Sequence, residues 1–128
     1  MNKTIYTLPL VKTNNFVDAA TVISDYWKKF YSLNLNENPV YAIYTNYLKD
    51  YKEDYYFTIG IEKPFKEGNQ FEVLMADYKV FNTHISEIVK AWQSIWELEE
   101  KGMLKRAYKI DFEKHYENGN VEIYIGIL

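Results

Sequence analysis

Residues 91–128 read AWQSIWELEEKGMLKRAYKIDFEKHYENGNVEIYIGIL, and their reading decides the fold. Ile88, Trp92, Ile95 and Trp96 recur at helical spacing with Ile85 and Val89 beside them, Ser86 suits the N-cap, and Gly102 suits the position after the last turn. Two alternating runs follow, with Asn118-Gly119 between them. Asn-Gly flanked by alternation is a strong hairpin signal, because a two-residue turn needs φ > 0 at its centre. That turn sets Glu117 against Asn120, His115 against Glu122 and Glu113 against Tyr124. Directly opposed residues of an antiparallel pair share a face. One face is therefore expected to gather Glu113, His115, Glu122 and Tyr124. The other takes Ile110, Phe112, Ile123, Ile125 and Ile127, with Lys114 as the odd member.

Working back to the N-terminus, Thr4–Val11 reads as a strand with an edge or bulge marked by Pro9. A helix capped by Asn15 or Asp18 runs to about Ser32, with Phe16, Ala19, Ala20, Ile23, Trp27 and Phe30 on its apolar stripe. Val40–Tyr47, Tyr55–Glu62, Gln70–Ala76 and Tyr78–Thr83 read as strands. The order is β-α-β-β twice, with one extra strand between. Trp27 and Trp92 match at an offset of 65, Tyr41 and Tyr108, like Ile43 and Ile110, at 67, and Thr58–Ile61 and Tyr124–Ile127 at 66. The expected fold class is α+β: two modules, about residues 4–62 and 78–128 of a single domain, joined in one antiparallel sheet. Two long helices cover one face, with pseudo-two-fold symmetry and a groove between the halves.

Composition bounds the function. A chain of 128 residues can bury one real core. Its net charge of −3 is spread without a basic block, which argues against nucleic-acid binding. The absence of cysteine excludes disulfides, thiol catalysis and cysteine metal sites, and fits a reducing, cytoplasmic setting. No apolar run has the length of a membrane span. No phosphate-binding glycine loop or Ser-His-Asp arrangement is present. Thirteen tyrosines leave two readings open: a tyrosine-rich sheet, or an aromatic binding cavity.

The site chemistry rests on the hairpin. A solvated face is one reading, favoured by Lys109 and Asp111 at the same parity. The other is an anionic floor under aromatic walls, which suits a lipophilic cation. The candidate ligand-binding residues are Glu113, Glu122, Tyr124 and His115, with Trp27, Trp92 and Tyr44 as walls. Glu113 is expected to be partly buried and unpaired, so that its neutralisation costs folding little. In the enzymatic alternative Glu113 and Glu122 serve as acid and base. A metal on His115, Glu113 and Glu122 is not expected, since one hairpin offers only one histidine, and no cofactor is implied.

The succession AWQSIW, DFEKHY, VEIYIGI resembles the GyrI-like small-molecule-binding domain family, also the C-terminal effector-binding domain of many AraC-type and MerR-type bacterial regulators. The resemblance spans nearly the whole chain and is most specific over residues 91–127. It implies the duplicated fold and a cation-contacting role for Glu113, and it matches Glu122 and Tyr124 to the Glu-x-Tyr of the last strand. The chain departs from the family at Gly126, where proline is usual, and at His115-Tyr116, shifted by one residue. It begins directly with its first strand, so direct DNA binding is not expected. Standalone members of the family suggest an effector-binding protein, a gyrase-modulating interaction protein, or a hydrolase of cyclopropane-bearing toxins. A protein partner or a homodimer is left open.

Overall fold

The computed structural model describes residues 2–74 and 77–128. Their elements run β1 (Asn2–Thr7), β2 (Val11–Thr13), α1 (Ala19–Tyr31), β3 (Val40–Thr45), β4 (Tyr55–Ile61), β5 (Asn69–Leu74), β6 (Tyr78–His84), a one-turn 3₁₀ helix (Ile85–Glu87), α2 (Ile88–Glu100), β7 (Ile110–His115) and β8 (Asn120–Gly126). The strands form one eight-stranded sheet in the order β5-β1-β4-β3-β7-β8-β6, with β2 also on β4. Every described pairing is antiparallel. The α+β class with two helices on one sheet is as expected, and no helix is long and apolar enough to cross a membrane. The last two residues of the strand expected over Gln70–Ala76, Met75 and Ala76, lie outside the described residues.

The expected first strand is split at Pro9. Thr7 faces Gly60 and Val11 faces Phe57, so four steps along this strand meet three along β4. That extra residue is a β-bulge, and proline fits there because it has no N–H to give to the ladder. Asp18 holds the N-cap position of α1, one of the two residues expected there, but at neither helix start does the expected side chain cap the helix. Asp18 precedes α1, yet its carboxylate accepts from Thr13 Oγ1 at 2.7 Å and the Asn14 N–H at 3.1 Å instead of capping the helix. Ser86 is not the cap before α2; its N–H donates to His84 Nδ1 at 3.2 Å, within the 3₁₀ turn. Gly102 takes the expected place after α2, with φ of 72°. Its N–H reaches the Glu99 carbonyl at 3.0 Å, and Met103 N–H reaches Leu98 at 2.8 Å, a Schellman ending. Tyr108 stands before β7 with φ of 55°, so it does not start a strand as Tyr41 nearly does in β3.

The hairpin register differs by one residue. Glu113 pairs with Ile123, Lys114 with Glu122, His115 with Val121, and Phe112 with Tyr124. The loop has three residues, Glu117-Asn118-Gly119, and only Gly119 has positive φ, at 91°. A tight turn with a terminal left-handed glycine replaces the two-residue turn. Asn118 Oδ1 accepts the Asn120 N–H at 3.0 Å, and Tyr116 N–H reaches the Asn120 carbonyl at 2.9 Å. Because side chains alternate, a one-residue shift exchanges the faces of an entire strand. Val121, Ile123 and Ile125 therefore lie under α2 with Ile95 and Leu104. Glu122 and Tyr124 point to the opposite face, where the Tyr124 and Phe112 rings stack at 4.5 Å.

Both helices pack on one face. Phe30, Ile23 and Trp27 of α1 lie over Val40, Ala42, Phe57 and Ile59, while α2 covers β8. The other face has its own core of Ile5, Tyr41, Ile43, Val73 and Phe112, with Tyr78 and Tyr124 against it. These residues come from both ends of the strand order, so the sheet curls around this second core. Tyrosine hydroxyls are held at both faces. Burial and then a hydrogen bond to Glu122 push Tyr116 up to about 12; burial and then Glu100 do the same to Tyr51, and burial and then Asp111 to Tyr78. The folded chain thus keeps protons that the unfolded chain releases near pH 10. The sign follows: this stabilisation is fully present below about pH 10 and is lost as pH rises from about 10 through 12. Urea midpoints are expected to be flat from about pH 8 to 9.5 and to fall by about pH 11. A flat profile up to about pH 12 would contradict the tyrosine assignment.

Candidate functional site

At the centre of the sheet β3 pairs with β7, setting Ala42 opposite Glu113 and Tyr44 opposite Asp111. Ala42 contributes only a methyl group, and α1 and α2 lie to either side. A cavity of about 340 Å³ remains between them. Its walls are Ile23 and Trp27 from α1, Ile88, Trp92 and Trp96 from α2, Tyr44 and Tyr55 from the sheet, and Tyr47, Tyr51 and Arg106 from loops. Glu113 and His115 complete it from β7. The stripe residues Ile85 and Val89 are 50% and 67% exposed because they rim this cavity instead of closing it.

Glu113 is 3% exposed. Its Oε2 accepts from Trp92 Nε1 at 2.6 Å and from the Tyr44 hydroxyl at 2.7 Å, and its Oε1 lies 2.7 Å from His115 Nε2. Trp27 meets the His115 ring edge to face at 4.8 Å, and Tyr44 meets Trp92 the same way at 5.2 Å. Burial, with Glu113 next, raises Tyr44 well above the ordinary phenol range, so Tyr44 stays a proton donor. The carboxylate therefore has three donors and, while the imidazole is neutral, no counter-charge.

The neighbouring cation is already engaged. Arg106 follows the helix-ending turn and bridges to Ile127 beside β8. Its Nη2 lies 2.7 Å from Asp111 Oδ2, with the side chains 1% and 0% exposed. Asp111 also accepts from the Tyr47 hydroxyl at 2.6 Å and the Gly126 N–H at 2.8 Å. The guanidinium lies 4.3 Å from the Tyr108 ring centre and 3.4 Å from Glu99. Among the described residues, Trp96 Nε1 and Arg106 Nε are buried without a hydrogen-bond partner. With Arg106 and Asp111 cancelling, Glu113 sets the charge of the cavity.

Five of the seven candidate residues meet here: Glu113, His115, Trp27, Trp92 and Tyr44. Glu122 and Tyr124 do not. They lie across the sheet, where Glu122 accepts from Tyr116 at 2.7 Å and Tyr124 at 3.2 Å. The acid–base pair of Glu113 and Glu122 is thereby overturned, as is Tyr124 as the neighbour of Glu113; Tyr44 has that place. Asp111 is a buried ion-pair partner and not a mark of a solvated face. Sequence reasoning did not assign Tyr47, Tyr51, Tyr55, Trp96 or Arg106 to a site. One signal was available for Arg106: it is the single arginine of a lysine-rich chain, and arginine serves where a buried, planar pairing is needed.

No family model and no curated protein sequence matches the chain. Among solved structures, the fold is similar to an integron cassette protein from the mobile metagenome of Vibrio cholerae. The TM-score is 0.83 and the identity 25%, over 99% of this chain and 91% of that one.

Proposed function

We propose that this chain is a binding module for an apolar, aromatic cation, which it senses or sequesters. The observation that carries this is Glu113, a buried carboxylate held by three donors under a roof of indole and phenol rings. A buried charge that lacks a counter-charge is costly, and a ligand bringing one recovers part of that cost. Each ring face adds roughly 0.5–2 kcal/mol to a desolvated cation. Because protein donors already occupy the carboxylate, the ligand is recognised by charge and π-contact more than by its own N–H groups.

The resemblance to GyrI-like effector-binding domains points the same way. On this reading the sheet is two β-α-β-β units meeting at the β3–β7 seam, since β3-β4-β1 and β7-β8-β6 run outward from it in the same order. If Gly60 and Gly126 are equivalent, the registers match Tyr41 with Ile110, two residues on from the Tyr108 match.

N-methylacridinium and neutral acridine, of nearly equal shape, test the charge at about pH 8. The cation at 100 times its Kd is expected to add about 2.7 kcal/mol to unfolding stability, and acridine at the same concentration clearly less. Equal stabilisation by both would remove Glu113 from the account, and no effect from either would sink the proposal.

A further inference from the structure

We infer that the cavity is a proton-coupled cation site, in which the His115 imidazolium and a ligand cation are alternative counter-charges of Glu113. This rests on Glu113 being the cation site. His115 lies on the strand of Glu113, two residues on, and its Nε2 reaches Oε1 at 2.7 Å. The same imidazole also lines a second cavity of about 560 Å³, so it forms a partition between two spaces.

Elements on three sides flank this ring. From α1 it meets the Trp27 ring, with Tyr31 beyond at 5.5 Å from Trp27. Val40 of β3 and Val121 of β8 pair with it and carry no charge. In the second cavity it shares the lining with Glu37, Glu117 and the Tyr116 phenol. Glu37 is paired with Lys63 at 3.3 Å, and Tyr116 donates to Glu122. Among the described residues, Arg106 is the only other basic side chain in the lining of either cavity, and Asp111 holds it. No fixed cation thus competes with His115 for Glu113 among the described residues.

The exchange balances. Neutral His115 still donates Nε2–H to Glu113, so the hydrogen bond survives in both states and only the charge differs. A cation entering beside protonated His115 meets a neutral ion pair and a like charge; one entering beside neutral His115 meets a carboxylate without a counter-charge. Binding therefore expels up to one proton per ligand, and binding weakens as pH falls through the range in which histidine titrates, between pH 5 and 8.

The test is titration calorimetry with N-methylacridinium, which has no titrating group. It is run at about pH 8, about pH 6 and about pH 5, each in two buffers of different ionisation enthalpy. For the wild type, Kd is expected to rise about tenfold between the highest and lowest pH, and the buffer difference at about pH 6 to count a fraction of a proton released per ligand, about half. His115→Gln keeps an N–H donor near the position of Nε2 but cannot take the charge. Whatever its absolute affinity, its Kd ratio between the highest and lowest pH is expected to shrink to about twofold or less. A wild type that binds the cation with the same Kd at all three pH values and releases no proton overturns the coupling while leaving the cation site standing. A His115→Gln ratio equal to that of the wild type also overturns it, because another group would then carry the proton. Failure to bind the cation at about pH 8 sinks the site itself.

Discussion

Asp111→Ala is expected to lower unfolding stability by about 3–5 kcal/mol, the cost of leaving a buried charge without its partner. For a chain of this size that is a fall in Tm on the order of 10–20 °C. Three groups lose their acceptor together: Arg106 Nη2, the Tyr47 hydroxyl and the Gly126 N–H. The Arg106 side chain is 1% exposed, so it cannot turn to water without opening the wall between α2 and the sheet. Glu99, 3.4 Å from Nη1, is the nearest substitute, but Tyr108 also donates to it. Arg106→Met combined with Asp111→Ala should cost less than the sum of the two changes, since the double variant buries no unpaired charge. Urea unfolding of the four proteins measures this. A loss below about 1 kcal/mol for Asp111→Ala would mean that Arg106 is not sealed in.

Glu113→Gln should weaken N-methylacridinium binding by about 1–3 kcal/mol, or roughly fivefold to 150-fold. The substitution keeps the shape and removes the charge. Its effect on folding differs from that expected of an unpaired carboxylate. Trp92, Tyr44 and His115 all donate to Glu113, and a neutral amide oxygen accepts these bonds less strongly. A loss of about 1 kcal/mol is expected, kept small because His115 can change tautomer and accept from the new amide. Glu113→Leu removes the acceptor altogether and strands the indole and phenol donors, at about 1–3 kcal/mol each. Calorimetry and denaturation on both variants separate the two roles. Wild-type affinity in Glu113→Gln would end the charge-based account.

What was legible in the sequence follows the kinds of signal it carries. Helical spacing over Ile88–Trp96, the glycine at position 102 and the alternation of the strands are local, and the elements they indicate are present. Glu113 and His115, at i and i+2 of one strand, were bound to share a face whatever the pairing. Glu122 and Tyr124 depended on a turn, and one extra loop residue carried both to the other side of the sheet. Asn-Gly announces a turn, but the number of residues in the loop depends on backbone angles and on what the flanking strands bury. Here Ile123 and Ile125 go under α2. The Arg106–Asp111 pair lay outside the reach of pattern altogether. It joins a loop to a strand interior through burial, and a charged residue at an alternating position reads as solvated until something is known to cover it.

The chain has three tryptophans, and all of them stand in the wall of one cavity. Each has a different neighbour: Trp27 the His115 imidazole, Trp92 the Glu113 carboxylate, and Trp96 the Tyr51 ring, stacked at 4.9 Å and nearly parallel. The tryptophan fluorescence of the protein, excited beyond the tyrosine absorption, is therefore a signal from this one space, with no indole elsewhere to dilute it. An occupant alters the emission colour through Trp92 and its intensity through ring contact with any of the three. The molecule thus carries an unlabelled optical probe of its own interior.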